Sequence, residues 1–311
     1  MEFFSHTTSY PFMATRRVWY TLSLVLVLAS VVFLFTRGLN LAIDFTGGVD
    51  AQATFAAPPN LDEIRSKLSS GGFRDPTVQT FGSSREVSIR LPPEPSQTAA
   101  TIRAKLETVL KSVDPKVQVG QLAVVGPQVG NELKSSAIEA LLFTLLGIFI
   151  YIAFRFHTWR LSLGAILAVL HDPILVLGIF SVTQTPFDLP VVAAVLAVIG
   201  YSLNDTVVVF DRIRERFEGN RRMPPAMVLD QSINQTLSRT IMTKVVTSIV
   251  VVALLLFGGP VLKGFSEALL IGVIAGTYSS IYISSAIALD CGLTAEHVFP
   301  TVKRTAVDHL P

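Results

Sequence analysis

Charge is scarce in this chain. Lys, Arg, Asp and Glu make up 15% of its 311 residues, where soluble domains carry about a quarter. Cysteine is scarcer: Cys291 stands alone, so no internal disulfide can form, and no convincing histidine partner lies near it to make a nucleophile. There is no Walker A sequence, no G-x-G-x-x-G and no H-E-x-x-H, which leaves no expected catalytic residue, cofactor or metal site. A formal net charge of +2 says little about partners, and no nucleic-acid partner is expected. What is abundant is apolar: half the residues are hydrophobic and mean hydropathy is +0.54. These values point to a polytopic membrane protein and exclude an ordinary soluble domain.

About 20 apolar residues cross a bilayer as a helix. Six runs qualify: Val18–Phe35, Ala137–Phe154, Leu161–Val182, Leu189–Phe210, Ile241–Phe257 and Phe265–Leu289. The first could pass for a secretory signal, but it is long for one and lacks a small-x-small cleavage site after it, so a retained anchor is expected. Arg16 and Arg17 precede the first run. Arg155 and Arg160 lie between the second and third, five arginines (212, 214, 216, 221, 222) follow the fourth, and Lys303 and Arg304 follow the sixth. Of the short alternate connections, Thr183–Asp188 holds no Lys or Arg and Gly258–Gly264 only Lys263. The positive-inside rule then puts both termini in the cytoplasm, with Trp19 and Trp159 at the inner interface.

The expected division is 1–17 as a cytoplasmic N-terminus, 18–37 as the first span, 38–134 outside, 135–290 as spans two to six, and 291–311 as a cytoplasmic tail. The outer region reads as a folded domain of order βαββαβ, a ferredoxin-like pattern. Its strands are expected at Ala51–Phe55, Thr77–Phe81, Glu86–Leu91 and Val117–Val124, with a Gly82-Ser83-Ser84 turn. Its helices are Leu61–Ser70, with Asn60 as N-cap, and Thr98–Ser112, with Ser96 as N-cap.

Asp205 is the one charged residue in Leu189–Phe210. A carboxylate in the hydrocarbon layer costs several kcal/mol by translocon-type scales and is a functional hypothesis by default. At 1.5 Å per residue it lies about 24 Å along from Leu189, in the inner half. Arg239, at the inner start of the fifth run, approaches a similar depth on an antiparallel neighbour. Two readings stand: a protonation switch, in which Arg keeps its charge and Asp need not, or a permanent salt bridge that fixes packing. Asn204, Ser202 and Thr206 either bond the carboxylate or their own helix backbone. His171 and Asp172, followed by Pro173, either form a relay in a kinked helix or a buried bonded pair. Asp44 is expected to anchor the outer domain, and Glu267 to lie near outer interfacial water. Gly272 with Gly276, and Gly164 with Ala168, form small-xxx-small faces for close helix packing. Pro224-Pro225 is expected to lead into a short interfacial helix, Ala226–Thr236. The arginine cluster could also meet anionic lipid headgroups.

Four stretches together resemble the SecF family of protein-export membrane proteins: 38–48 (GLNLAIDFTGG), 125–130 (VGPQVG), 199–215 (IGYSLNDTVVVFDRIRE), and the segment from 234–240 (NQTLSRT) through 257–260 (FGGP). The resemblance covers nearly the whole chain apart from the tails and part of the outer domain. It implies a six-helix half-transporter of the resistance-nodulation-division superfamily, in a bacterial inner membrane. Such a half pairs with SecD and assists the SecYEG channel by proton or sodium flow, with YajC, YidC and SecA as further candidate partners. The unfolded polypeptide in transit and the membrane lipids complete the implied contacts. The resemblance also matches the family's proposed proton-responsive Asp and Arg to Asp205 and Arg239. A superfamily exporter of small molecules or lipids and a non-conducting scaffold remain as alternatives.

Overall fold

The computed structural model describes residues 8–81, 83–93, 98–156 and 158–299. Helix α1 (Arg16–Thr36) is an apolar rod that buries only Ser23 and Ser30 within the protein. The burial of two small polar residues has a packing reason. Gly178 on the third spanning helix has no room for a Cβ because Ser30 lies against it. A short helix α2 (Ile43–Thr46) then leads into strand β1 (Gly48–Thr54).

The outer domain continues with α3 (Leu61–Ser70), β2 (Thr77–Phe81), β3 (Ser83–Leu91), α4 (Ala99–Lys111) and β4 (Gln118–Val125). The four strands are antiparallel in the order β2-β3-β1-β4, the ferredoxin-like arrangement expected. Alternation along β1 and β3 sends Val49, Ala51, Val87 and Ile89 into a core with Ile64, Leu68, Leu106 and Leu110 of the two helices. Asn60 caps α3 by accepting from Asp62 N at 3.0 Å. Thr98 caps α4; the expected cap Ser96 and turn residue Gly82 lie outside the described residues.

The remaining spans are α5 (Pro127–Arg155), α6 (Trp159–Thr183), α7 (Leu189–Gly219), α8 (Pro225–Phe257) and a sixth built of three pieces. Those pieces are α9 (Gly259–Tyr278), a π-helical turn (Ser279–Ile283) and α10 (Ser284–Asp290), followed by the short α11 (Ala295–Val298). All six spans are long and apolar enough to cross a membrane. One expectation needs correcting. Ala226–Thr236 is not a separate helix but the first part of α8. Nothing between Thr236 and Ile241 breaks a helix, and the polar N-terminal part has partners. Asn234 exchanges hydrogen bonds with the Tyr10 backbone at 3.0 and 2.9 Å, and Asp230 accepts from Met13 N at 2.8 Å.

Two glycine-bearing stretches meet where the outer domain joins the spans. Gly47 and Gly48 have φ of +70° and +122°, conformations that favour glycine. A Cβ on Gly47 would lie 2.9 Å from Pro127 Cα, and one on Gly130 would lie 2.8 Å from Gly47 N. The first turn of α5 is thus pressed against the entry to β1. At the opposite end, Arg16 pairs with Asp290 at 3.0 Å, Arg155 pairs with Asp211, and Arg160 donates to the Cys291 carbonyl. The arginine-rich ends gather there, away from the sheet.

Candidate functional site

Helix α7 buries a stripe at helical spacing: Val198, Ser202, Asp205, Thr206 and Val209. Asp205 therefore points into the bundle. Asn204, one position earlier, is exposed. The partner in closest contact with Asp205 is Lys244 of α8, whose Nζ lies 2.6 Å from Asp205 Oδ2, both side chains being 6% exposed. The ammonium also sits 4.1 Å from the centre of the Tyr201 ring, one turn before Asp205, a cation–π arrangement. Tyr201 in turn bonds Thr247 at 2.7 Å. Thus α7 and α8 are joined at this depth by a charged pair under an aromatic lid.

Arg239 lies on the same helix, five residues nearer the arginine-rich end, about 7.5 Å by helical rise. Its field reaches Asp205, but its side chain is exposed and lines an open cavity of about 400 Å³ with Asp211, Arg212, Glu215 and Gln235. The depth expectation placed Arg239 beside Asp205. The structure instead brings Lys244 there, because α8 continues inward past Arg239 before reaching the carboxylate's level. The signal for Lys244 was present in the sequence: a lysine inside the run Ile241–Phe257 is as costly as an aspartate inside Leu189–Phe210.

Asp172 stands beside this pair on α6 and is fully buried. Its Oδ1 meets His171 Nδ1 at 2.9 Å. Its Oδ2 accepts from Ser202 of α7 and from Ser279 of the π-helical turn, the latter at 2.9 Å. Single π turns inside helices recur at functional sites. Here the turn begins at the residue that bonds the carboxylate. The His171 ring stacks obliquely on Tyr278 at 5.7 Å. His171 and Asp172 are therefore a bonded, buried pair tied to two neighbouring helices. Thr206 bonds its own helix at the Ser202 carbonyl; Ser202 reaches across to Asp172 rather than to Asp205.

Close packing holds this cluster. A Cβ on Gly276 would lie 3.2 Å from Ser202 and 3.3 Å from Asp172 Oδ2, and Gly272 rests on Val198. Gly164 sits against the Ser284 backbone in the same way. Asp44 accepts from Leu189 N at 2.9 Å and Asp188 from Val191 N at 3.0 Å, so two carboxylates cap the N-terminus of α7. Glu267 is half-buried in the N-terminal half of α9, within electrostatic range of Lys263. Among the described residues no three His, Cys, Asp or Glu converge as metal ligands.

The chain matches the family described as "Protein export membrane protein SecD/SecF, C-terminal" over residues 105–294, and the "SecD/SecF GG Motif" over residues 32–56. It is 47% identical over 300 residues to the protein translocase subunit SecF of Haemophilus influenzae, covering 96% of this chain and 91% of the relative. It is 46% identical to the protein of the same name from Vibrio alginolyticus, covering 93% and 92%. Among solved structures it resembles the crystal structure of SecDF, a translocon-associated membrane protein from Thermus thermophilus. There the TM-score is 0.83 at 37% identity, over 91% of this chain. It spans only 39% of that longer SecDF chain. A crystal structure of SecDF in a super-membrane-facing form aligns with a TM-score of 0.69 at 36% identity.

Proposed function

We propose a function on the premise that the chain belongs to the SecD/SecF family of protein-export membrane proteins. It is the SecF-type half of an assembly that pairs with a SecD-type half and assists the SecYEG channel. Proton flow at Asp205 helps draw polypeptide across a bacterial inner membrane. The gathered arginines face the cytoplasm and the sheet domain faces outward, in keeping with the positive-inside rule.

The observation that carries this reading is a charged pair, Asp205 with Lys244, buried where lipid-soluble residues would cost nothing. Removing one charge of such a pair leaves the other uncompensated, at roughly 3–5 kcal/mol. Protonating Asp205 does the same thing reversibly. The neutral acid loosens its hold on Lys244, and α8, which carries Arg239, is free to shift against α7. That gives a two-state element biased by one proton. The hydrogen-bonded Asp172 beside it holds α6, α7 and the π-helical turn together while that happens.

The test is precursor uptake into inverted membrane vesicles with and without a proton gradient. Asp205→Asn should remove the gradient-dependent gain while leaving the chain assembled with its partner. Wild-type stimulation in this variant would refute the reading.

A further inference from the structure

Which cation could occupy Asp205 is a question of what already stands next to it. Resting on the coupling reading above, we infer that Lys244 is a selectivity residue. Its tethered ammonium fills the cation position of Asp205, so that this carboxylate exchanges protons and shuts out sodium.

Three observations carry this. First, Lys244 Nζ is 2.6 Å from Asp205 Oδ2, so the ammonium occupies the place of a monovalent metal ion bound to that oxygen and its positive charge opposes a second cation at the same carboxylate. A tethered cation is present at high effective concentration, and the Tyr201 ring at 4.1 Å holds it there. A proton needs no such vacancy, because it bonds to the oxygen itself and leaves the ammonium beside a neutral acid. Secondly, sodium sites within membranes draw on unwound backbone carbonyls and broken helix ends. Helix α7 is unbroken from Leu189 to Gly219, so its carbonyls at this level are engaged within the helix. The nearby hydroxyls donate away from Asp205, Ser202 to Asp172 and Thr206 to the Ser202 carbonyl, so neither bonds the Asp205 carboxylate. Thirdly, the cavity of about 500 Å³ over Lys244 is walled mainly by the apolar Ile241, Val245, Ile249, Val252, Val273 and Ile274; its two hydroxyls, Ser248 and Thr277, are too few oxygens to replace the shell of a hydrated metal ion on the way in.

The other groups around Asp205 do not reverse this. Asp172 on α6 is engaged by His171, Ser202 and Ser279. Tyr201 on α7 presents its ring to the ammonium and its hydroxyl to Thr247. Tyr278, near the π-helical turn, faces His171, and Arg239 on α8 adds a second positive field to Asp205.

The experiment is thermal unfolding of the purified full chain with its partner, in sodium chloride against choline chloride at equal ionic strength. Wild type should melt at the same temperature in both. A sodium-specific rise that disappears in Asp205→Asn overturns the inference; a rise that Asp205→Asn retains arises elsewhere and leaves the expected result in place. A second arm compares Lys244→Met, Asp205→Asn and the double variant in choline. Each single variant should melt lower by roughly 5 °C or more, and the double should recover at least half of the summed loss. Fully additive losses show that the ammonium is not the counter-ion of Asp205, and overturn the inference. Failure of the coupling reading looks different: Asp205→Asn would then export like wild type in the vesicle assay, whatever the melting arms report.

Discussion

Replacing Gly276 with alanine adds one methyl group at the point where α9, α7 and the Asp172 network meet. The new Cβ would lie 3.2 Å from Ser202 Cβ and Oγ and 3.3 Å from Asp172 Oδ2. Something must give, and the moveable atom is the Ser202 hydroxyl. Overpacking of this kind costs about 1–3 kcal/mol, and loss of a hydrogen bond to a charged group about 1.5–3 kcal/mol. Alanine returns about 1 kcal/mol of helix propensity. The net loss is about 3 kcal/mol, which corresponds to a melting point lower by about 5–10 °C for a chain of this size. The single cysteine provides the assay. Cys291 is free and half-buried at the end of α10, so a thiol-reactive fluorophore reports its exposure as the bundle opens. Gly200→Ala is the control, because a Cβ there meets nothing within 4 Å; it should melt at or slightly above wild type. If Gly276→Ala melts with Gly200→Ala, α9 and α7 do not approach as closely as described, and the network's dependence on that approach is wrong.

Further outcomes concern the outer domain. Gly48→Ala places a Cβ on the Leu91 carbonyl at a φ of +122°, and should destabilise the β1–β3 pairing by at least 1–3 kcal/mol, read as faster proteolytic cleavage within residues 48–125. Asp50 is half-buried in the sheet under a 2.7 Å bond from Ser88, and its partial burial raises its pKa above the usual carboxylate value while Ser88 and Arg90 pull it back. The folded domain therefore binds the proton more tightly than the unfolded one. The stability contributed at Asp50 is full below the unfolded value, about 3.9, and is lost as pH rises from there through the raised folded value. Asp50→Asn should flatten that part of the pH–stability curve; an unchanged slope would refute the assignment.

Much of this architecture was legible in the residues because the constraints are strong. A run such as Leu161–Val182 has few alternatives to a spanning helix, and the alternation in Glu86–Leu91 fixes both strand and face. The domain order followed from the same patterns, and Asn60 announced its helix. What the sequence hid was relative register between helices. A depth estimate from Leu189 gives the position of Asp205 along its own helix, but it could not say which residue of α8 lies opposite, because that depends on tilt and crossing angle. Arg239 and Lys244 differ by only about 7.5 Å in rise, within a turn and a half. Likewise, His171 and Asp172 were visible as costly groups, whereas the partners that satisfy Asp172 come from Ser202 and Ser279, residues whose hydroxyls carry no distinguishing pattern. The continuity of α8 from Pro225 was masked by its polar first turns, which bury themselves against Tyr10 and Met13.

The π-helical turn in the last span has a consequence beyond its bond to Asp172. Five residues there close backbone rings one residue wider than an α-helix does. Everything after the turn is consequently rotated by about 100° relative to an uninterrupted α-helix. Before it, Gly272 and Gly276 address α7; after it, Ser284 addresses Gly164 on α6. One rod thereby presents its small residues to two different neighbours. Deleting a single residue from Ser279–Ile283 would let the turn close as ordinary α-helix with both faces still in phase, whereas inserting one residue elsewhere in the span would leave hydropathy nearly untouched yet turn one of those two faces toward lipid. The sixth span is phased rather than merely apolar, and its tolerance to insertion or deletion is set by angle, not by thickness of the bilayer.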